Sequence, residues 1–268
     1  MLVALSKLMP ISLLLIIIIS IFNFSYAIEE EGLVLYFKFD ELDGNILEDY
    51  SGNENFGTAK GIYELVEGKY DNGLMISGSP ENYVEVADSD SLDITEVYSI
   101  LLWVNFTEIT GERHQFFFDK GADDKNPGGC RLGKLSTGEL LLHVYKDGGW
   151  QPDLAVNNPA FETDRWFHIA ITRDEAGEAS LYIDGVKKSS SKDPAFALPA
   201  NDNALMLWGS TAFGQNDMFI GIMDELAIFK NRALSEAEVR NFKETQSTPV
   251  QPSGKLSTTW SSIKENTW

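Results

Sequence analysis

The chain has 268 residues, with 41 Asp and Glu against 21 Lys and Arg and a formal charge of -20. So acidic a balance argues against nucleic-acid binding, which needs clustered cations, and fits a soluble protein that meets calcium outside the cell. Cys130 is the only cysteine, so no intrachain disulfide can form and stability must come from a core or a metal.

Residues 1–27 read as a Sec signal peptide. Lys7 is its lone charge, residues 8–24 are nearly all apolar, and Ser25-Tyr26-Ala27 puts small residues before a cleavage point. An uncleaved anchor is the alternative, because the apolar run approaches a spanning length. The expected plan is a leader at 1–27, one domain at 28–244, and a linker with a short tail at 245–268. In the tail, Leu256, Trp260 and Ile263 share one helical face. A frayed terminus or a small docking element both fit that pattern.

From residue 32 the hydrophobic period is mostly two. Leu33, Leu35, Phe37 and Phe39 alternate with Val34, Tyr36 and Lys38. Further strands are expected at 83–86, 99–106, 115–118, 139–145, 166–172, 179–183, 205–208 and 219–229. Asp184-Gly185, Asp71-Asn-Gly73, Asp147-Gly-Gly149 and Pro127-Gly-Gly129 mark turns. Short strands separated by Gly- and Asp-rich turns predict an all-β sandwich.

The closing segment, Phe219 to Glu244, is the most specific. Its strand places Ile220, Ile222, Leu226 and Ile228 on one alternating face and Phe219, Met223, Ala227 and Phe229 on the other. Asp224 and Glu225 interrupt this apolar run. A carboxylate there is costly unless it is paired, hydrogen-bonded or bound to a cation. A helix then starts at a capping box, Ser235 with Glu238 three residues on.

Four blocks together resemble a bacterial laminin-G-like, concanavalin A-like (pentraxin-like) jelly-roll domain. They are Leu33–Glu41 with Asp49-Tyr-Ser-Gly-Asn53, then Gly73 to Val104. Arg165-Trp-Phe-His-Ile-Ala-Ile-Thr with Leu181-Tyr-Ile-Asp-Gly185 is the third, and Phe219–Phe242 the last. The resemblance implies a two-sheet antiparallel jelly-roll sandwich with one short C-terminal helix. It also implies a structural calcium where the first strand's end, the next loop and the last strand meet. Matching positions are Asp40, Asp49, Asn53 and Asp224, with a main-chain oxygen near Gly57. Turn capping by Asp40 and Asp49, and a Lys or Arg partner for Asp224, is the competing reading.

Some relatives of such a sandwich cleave β-glucans with a Glu-x-Asp strand followed by a second Glu. Here Glu41-Leu-Asp43 and Glu162-Thr-Asp164 lack that glutamate, so no enzyme is expected. His114, His143 and His168 lack metal spacing and a Gly-x-Ser-x-Gly partner. His168 reads as a core-edge histidine bonded to a backbone carbonyl, and Trp103 as filling between the sheets. Exposed aromatics that stack on sugar rings would carry glycan binding. Trp150, in a loop-like Gly-Gly-Trp-Gln-Pro run, is the first candidate and Trp208 the second. The expected protein is a secreted or cell-surface, non-catalytic recognition module. Its partner is an extracellular glycan or, alternatively, a protein; it has no membrane contact beyond the leader. A degenerate hydrolase is the minor alternative.

Overall fold

The structure is a computed structural model describing residues 31–121, 128–146, 148–193, 200–209 and 217–245. The expected signal peptide and C-terminal tail lie outside the described residues. The strands run β1 (Leu33–Phe37), β2 (Ile46–Leu47), β3 (Gly57–Lys60), β4 (Tyr63–Glu67), β5 (Asn72–Ile76) and β6 (Tyr83–Val86). They continue as β7 (Tyr98–Phe106), β8 (Gln115–Lys120), β9 (Cys130–Lys134), β10 (Leu140–Lys146) and β11 (Gly149–Val156). The last are β12 (Trp166–Arg173), β13 (Glu178–Ile183), β14 (Val186–Lys192), β15 (Leu205–Leu207) and β16 (Gly221–Lys230), followed by helix α1 (Glu236–Thr245).

These form two antiparallel sheets, the jelly-roll sandwich expected from the sequence. The first has the order β14-β13-β12-β7-β16-β5-β4, with β1 also paired to β16. The second has the order β11-β10-β9-β8-β15-β6-β3-β2. Their facing sides bury one core that includes Phe37, Leu102, Val104, Phe117, Leu142, Phe167, Leu181 and Ile228. Each such side chain contributes roughly 1.5–3 kcal/mol of apolar burial.

A smaller core lies behind the first sheet. There Leu234, Val239 and Phe242 pack on Tyr36, Leu101, Tyr182 and Phe229. The capping box starts α1 as the sequence indicates. Ser235 N–H donates to Glu238 Oε2 at 2.7 Å, and Glu238 N–H to Ser235 Oγ at 3.3 Å. Asp184 and Gly185 both take positive φ, 53° and 76°, the requirement of the tight β13–β14 turn.

The closing strand departs from simple alternation. Asp224 pairs with Trp103 and Ala227 with Leu101, so two residues of β16 oppose only Leu102. This is a β-bulge at Glu225, whose φ is 52°. The bulge shifts the phase by one residue. Phe219 and Met223 before it and Leu226 and Ile228 after it all face the main core, while Ala227 and Phe229 face the helix. The two continuous faces read from the sequence are therefore broken at the acidic pair. Trp103 also lies elsewhere than expected. It alternates with the core residues Leu102 and Val104, which places it on the outer side of the first sheet.

Candidate functional site

The bulge marks a seam in the first sheet. Along one edge of β16, β5 pairs with residues 221–223 and β1 with residues 226–229. Asp224 and Glu225 occupy the gap between these neighbours. Asp224 is 0% exposed, and its Oδ2 accepts the Lys69 and Tyr70 N–H groups at 2.8 and 3.0 Å. Its Oδ1 has no hydrogen-bond partner among the described residues. Glu225 accepts the Tyr36 hydroxyl through Oε2. Burial pushes Asp224 up to about 8, although the Tyr70 and Lys69 amides oppose the shift and Asp40 adds to it. Burial likewise pushes Glu225 up to about 9. Asp40, just after β1, holds the other end of the 69–72 turn: its Oδ1 accepts Asn72 N–H at 3.3 Å, and its carbonyl accepts the Asn72 side chain at 2.9 Å. Burial also raises its carboxyl.

The other expected calcium ligands are engaged differently. Asp49 is buried, and its Oδ1 accepts Tyr36 N–H and Ser51 N–H, both at 2.9 Å. Its Oδ2 accepts Ser51 Oγ at 2.8 Å and Asn55 N–H at 3.0 Å. Four donors on one carboxylate make Asp49 the organiser of the loop after β2. Asn53 donates its amide to Leu33 O at 3.0 Å, tying that loop to β1. Gly57 starts β3 and pairs with Leu47 and Val86. A Cβ there would lie 3.0 Å from both Phe37 and Val84 side chains, so the residue is needed for core packing. Among the described residues no group of three His, Cys, Asp or Glu could hold a metal ion. The five-position set is thus not assembled. Asp40 and Asp224, joined through the 69–72 turn, are the part that fits a hard cation, because Asp224 offers a buried carboxylate oxygen with no other partner.

The two candidate tryptophans separate sharply. Trp208 is 0% exposed, donates Nε1–H to Gly221 O at 3.2 Å, and meets Phe39 edge-on at 5.6 Å. It is a core residue and not a ligand platform. Its neighbouring Gly209-Ser210 suggested a surface loop, but Phe39 and the β16 backbone cover it. Trp150 is half-buried on β11, an outer strand of the second sheet rather than a loop. It stands opposite Tyr145 of β10, with the rings edge-on at 5.5 Å. The Arg131 guanidinium lies 4.1 Å from the Trp150 ring centre and 4.7 Å from that of Phe116. Gly133 allows this packing, since a Cβ there would come 2.7 Å from the Phe116 ring.

Arg131 pairs across the strands with Asp119 on one side and His143 on the other. These two residues, with Arg131, were not selected from the sequence. The available signal was the inward alternation of Cys130, Leu132, Leu142 and Val144, which sends Arg131 and His143 outward together.

His168 is 0% exposed, and neither ring nitrogen has a hydrogen-bond partner among the described residues. The expected carbonyl bond is absent; the ring instead packs 5.2 Å from Trp103 and 6.0 Å from Phe242. Burial holds it down to about 3, with Lys243 adding to the effect. It is a neutral packing residue.

The family model for the concanavalin A-like lectin/glucanases superfamily matches residues 77–240, and the chain belongs to that family. Among solved structures it is similar to domain 4 of AbnA, a GH43 extracellular arabinanase from Geobacillus stearothermophilus, in complex with arabinotriose. The identity is 25%, the TM-score 0.63, and the match covers 81% of this chain and 100% of that domain. The fold is shared with the botulinum neurotoxin serotype D binding domain at 19% identity and TM-score 0.64, covering 81% and 52% of the two chains. It is also shared with the binding domain of Paraclostridial Mosquitocidal Protein 1 at 19% and TM-score 0.62, covering 80% and 52%. The chain thus spans about half the length of these toxin domains. No curated protein sequence matches it.

Proposed function

We propose that this protein is a secreted, non-catalytic recognition module that binds an extracellular glycan on the outer side of the second sheet. The observation that carries this reading is Trp150, a half-buried indole on a sheet face whose orientation is set by Arg131 at 4.1 Å and Tyr145 at 5.5 Å. A ring held in place loses little freedom when a sugar stacks on it. The arabinotriose complex of the similar arabinanase domain makes an arabinan oligosaccharide the first probe. The paired carboxylates Asp224 and Glu225 are at most 2% exposed, which is unsuited to reaching a glycosidic bond. The reading is tested by titrating the protein, and its Trp150→Ala variant, with arabinotriose and a panel of other polysaccharides. Binding that Trp150→Ala abolishes supports it; silence across the panel removes it.

A calcium ion at the seam belongs to the same proposal. Asp40 and Asp224 would hold it. When bound it would neutralise the carboxylate charge that burial otherwise opposes. Its test is the melting temperature with calcium and with chelator.

A protein partner is the second reading. It is favoured by the outer strand β4, with Leu65 at 36% exposure and adjacent Ile62 at 73%, because apolar residues on a free edge invite pairing. A protein-capture result lost on substituting Ile62, with no glycan binding, would support it.

A further inference from the structure

Arg131 is the unusual group on the proposed ligand face. It is 3% exposed, yet it carries a full charge between the rings of Trp150 and Phe116. Its Nε and Nη2 both lie 3.3 Å from His143 Nδ1. A guanidinium has donors and no acceptor. His143 Nδ1 must therefore accept, which makes the imidazole neutral and puts its proton on Nε2. Burial, then Arg131, then His114 hold the His143 ring down to about 4, so this tautomer persists throughout the neutral range.

The charges around Arg131 also restrict what can bind. Asp119 stands directly opposite it across the strands, and Asp119 and Asp217 both act on the guanidinium electrostatically. The Arg131 charge is thus already engaged within the protein. The whole chain adds a charge of -20, which repels polyanions at low salt.

Resting on the glycan-binding reading, we infer that the site takes a neutral sugar, carrying neither carboxylate nor sulfate, and that Arg131 is its positioning residue. The sugar stacks on the Trp150 face opposite Arg131, and a hydroxyl accepts from His143 Nε2–H. Arg131 fixes the ring and the tautomer together from behind.

The test uses the full chain in calorimetric titrations against arabinotriose and against polygalacturonate, from pH 8 to pH 5. The expected result is binding of the neutral probe only, with affinity flat across that range. His143→Leu should lose about tenfold, the effect of one missing hydrogen bond. His143→Gln, whose amide still presents an N–H, should keep most of the affinity. Arg131→Met should weaken binding and introduce a pH dependence at the acid end of that range, because one cause of the low His143 value is gone while burial remains.

Nitrogen NMR of His143 in the unsubstituted protein reads the tautomer directly and does not depend on any variant folding. Protonation at Nδ1, binding of polygalacturonate as tightly as the neutral probe, or an Arg131→Met profile identical to the parent's would each overturn the inference. If Trp150→Ala still abolishes binding in those cases, the glycan reading survives without it. If no saccharide binds at all, the glycan reading itself has failed.

Discussion

The Tyr36 hydroxyl of the first strand donates to Glu225 of the last, across 189 positions of sequence. Both groups are buried: Tyr36 is 3% exposed and Glu225 2%. The contact closes the seam between β1 and β5 on the edge of β16. Removing the donor leaves a buried acceptor unsatisfied, which costs about 1–3 kcal/mol. Tyr36→Phe should therefore destabilise the protein by that amount in urea denaturation. Glu225→Gln, which keeps an acceptor oxygen, should lose less than Tyr36→Phe.

Asp49 and Asp224 should separate loop organisation from cation binding. Asp49→Ala removes the acceptor for four donors, a loss of at least about 3 kcal/mol by summed hydrogen-bond magnitudes. That loss should be the same in calcium and in chelator. Asp224→Asn should instead abolish the difference between calcium and chelator melts. A calcium effect that disappears in Asp49→Ala and survives in Asp224→Asn would reverse the assignment.

His168 gives a pH signature. Its folded value of about 3 lies below the ordinary 6.5, so the folded state binds fewer protons than the unfolded one. The stability it permits is complete above pH 6.5 and is lost as pH falls toward 3. His168→Leu removes this liability and two ring nitrogens that have no partner. The variant should match or exceed the parent's stability at pH 7.5. It should gain up to about 3 kcal/mol on the parent by pH 4.5, at about 1.4 kcal/mol per unit. Parallel stability curves for the two proteins would contradict the account.

Much of the fold was legible because its inner strands alternate cleanly. The expected strands at 83–86, 99–106 and 166–172 differ from β6, β7 and β12 by no more than a residue at either end. Two of the strands that went unread lack a clean apolar period. β14, Val-Lys-Lys-Ser-Ser-Ser-Lys, is a solvated outer strand with little to bury, and β11 is interrupted by Pro152 and by the bulge opposite His143. That same gap put Trp150 in a loop. The acidic interruption at Asp224 was visible in the sequence, but the phase shift it causes was not, since a bulge depends on which strands flank β16. Trp208 misled through its glycine neighbour, because Phe39, which packs on its ring, lies far back in the sequence.

The two tryptophans should respond oppositely to truncation. Trp208→Ala removes a fully buried indole and should cost about 3–5 kcal/mol or prevent folding. Trp150→Ala, at a half-buried position, should cost no more than about 1 kcal/mol.

Titration of the protein and of Trp150→Ala with arabinotriose and the wider polysaccharide panel, at matched melting temperature, tests the central claim most directly. The account predicts saturable binding by the parent, quenching or shift of tryptophan fluorescence on binding, and loss of both in the variant. Equal binding by the two proteins, or no saccharide bound by either, would contradict it.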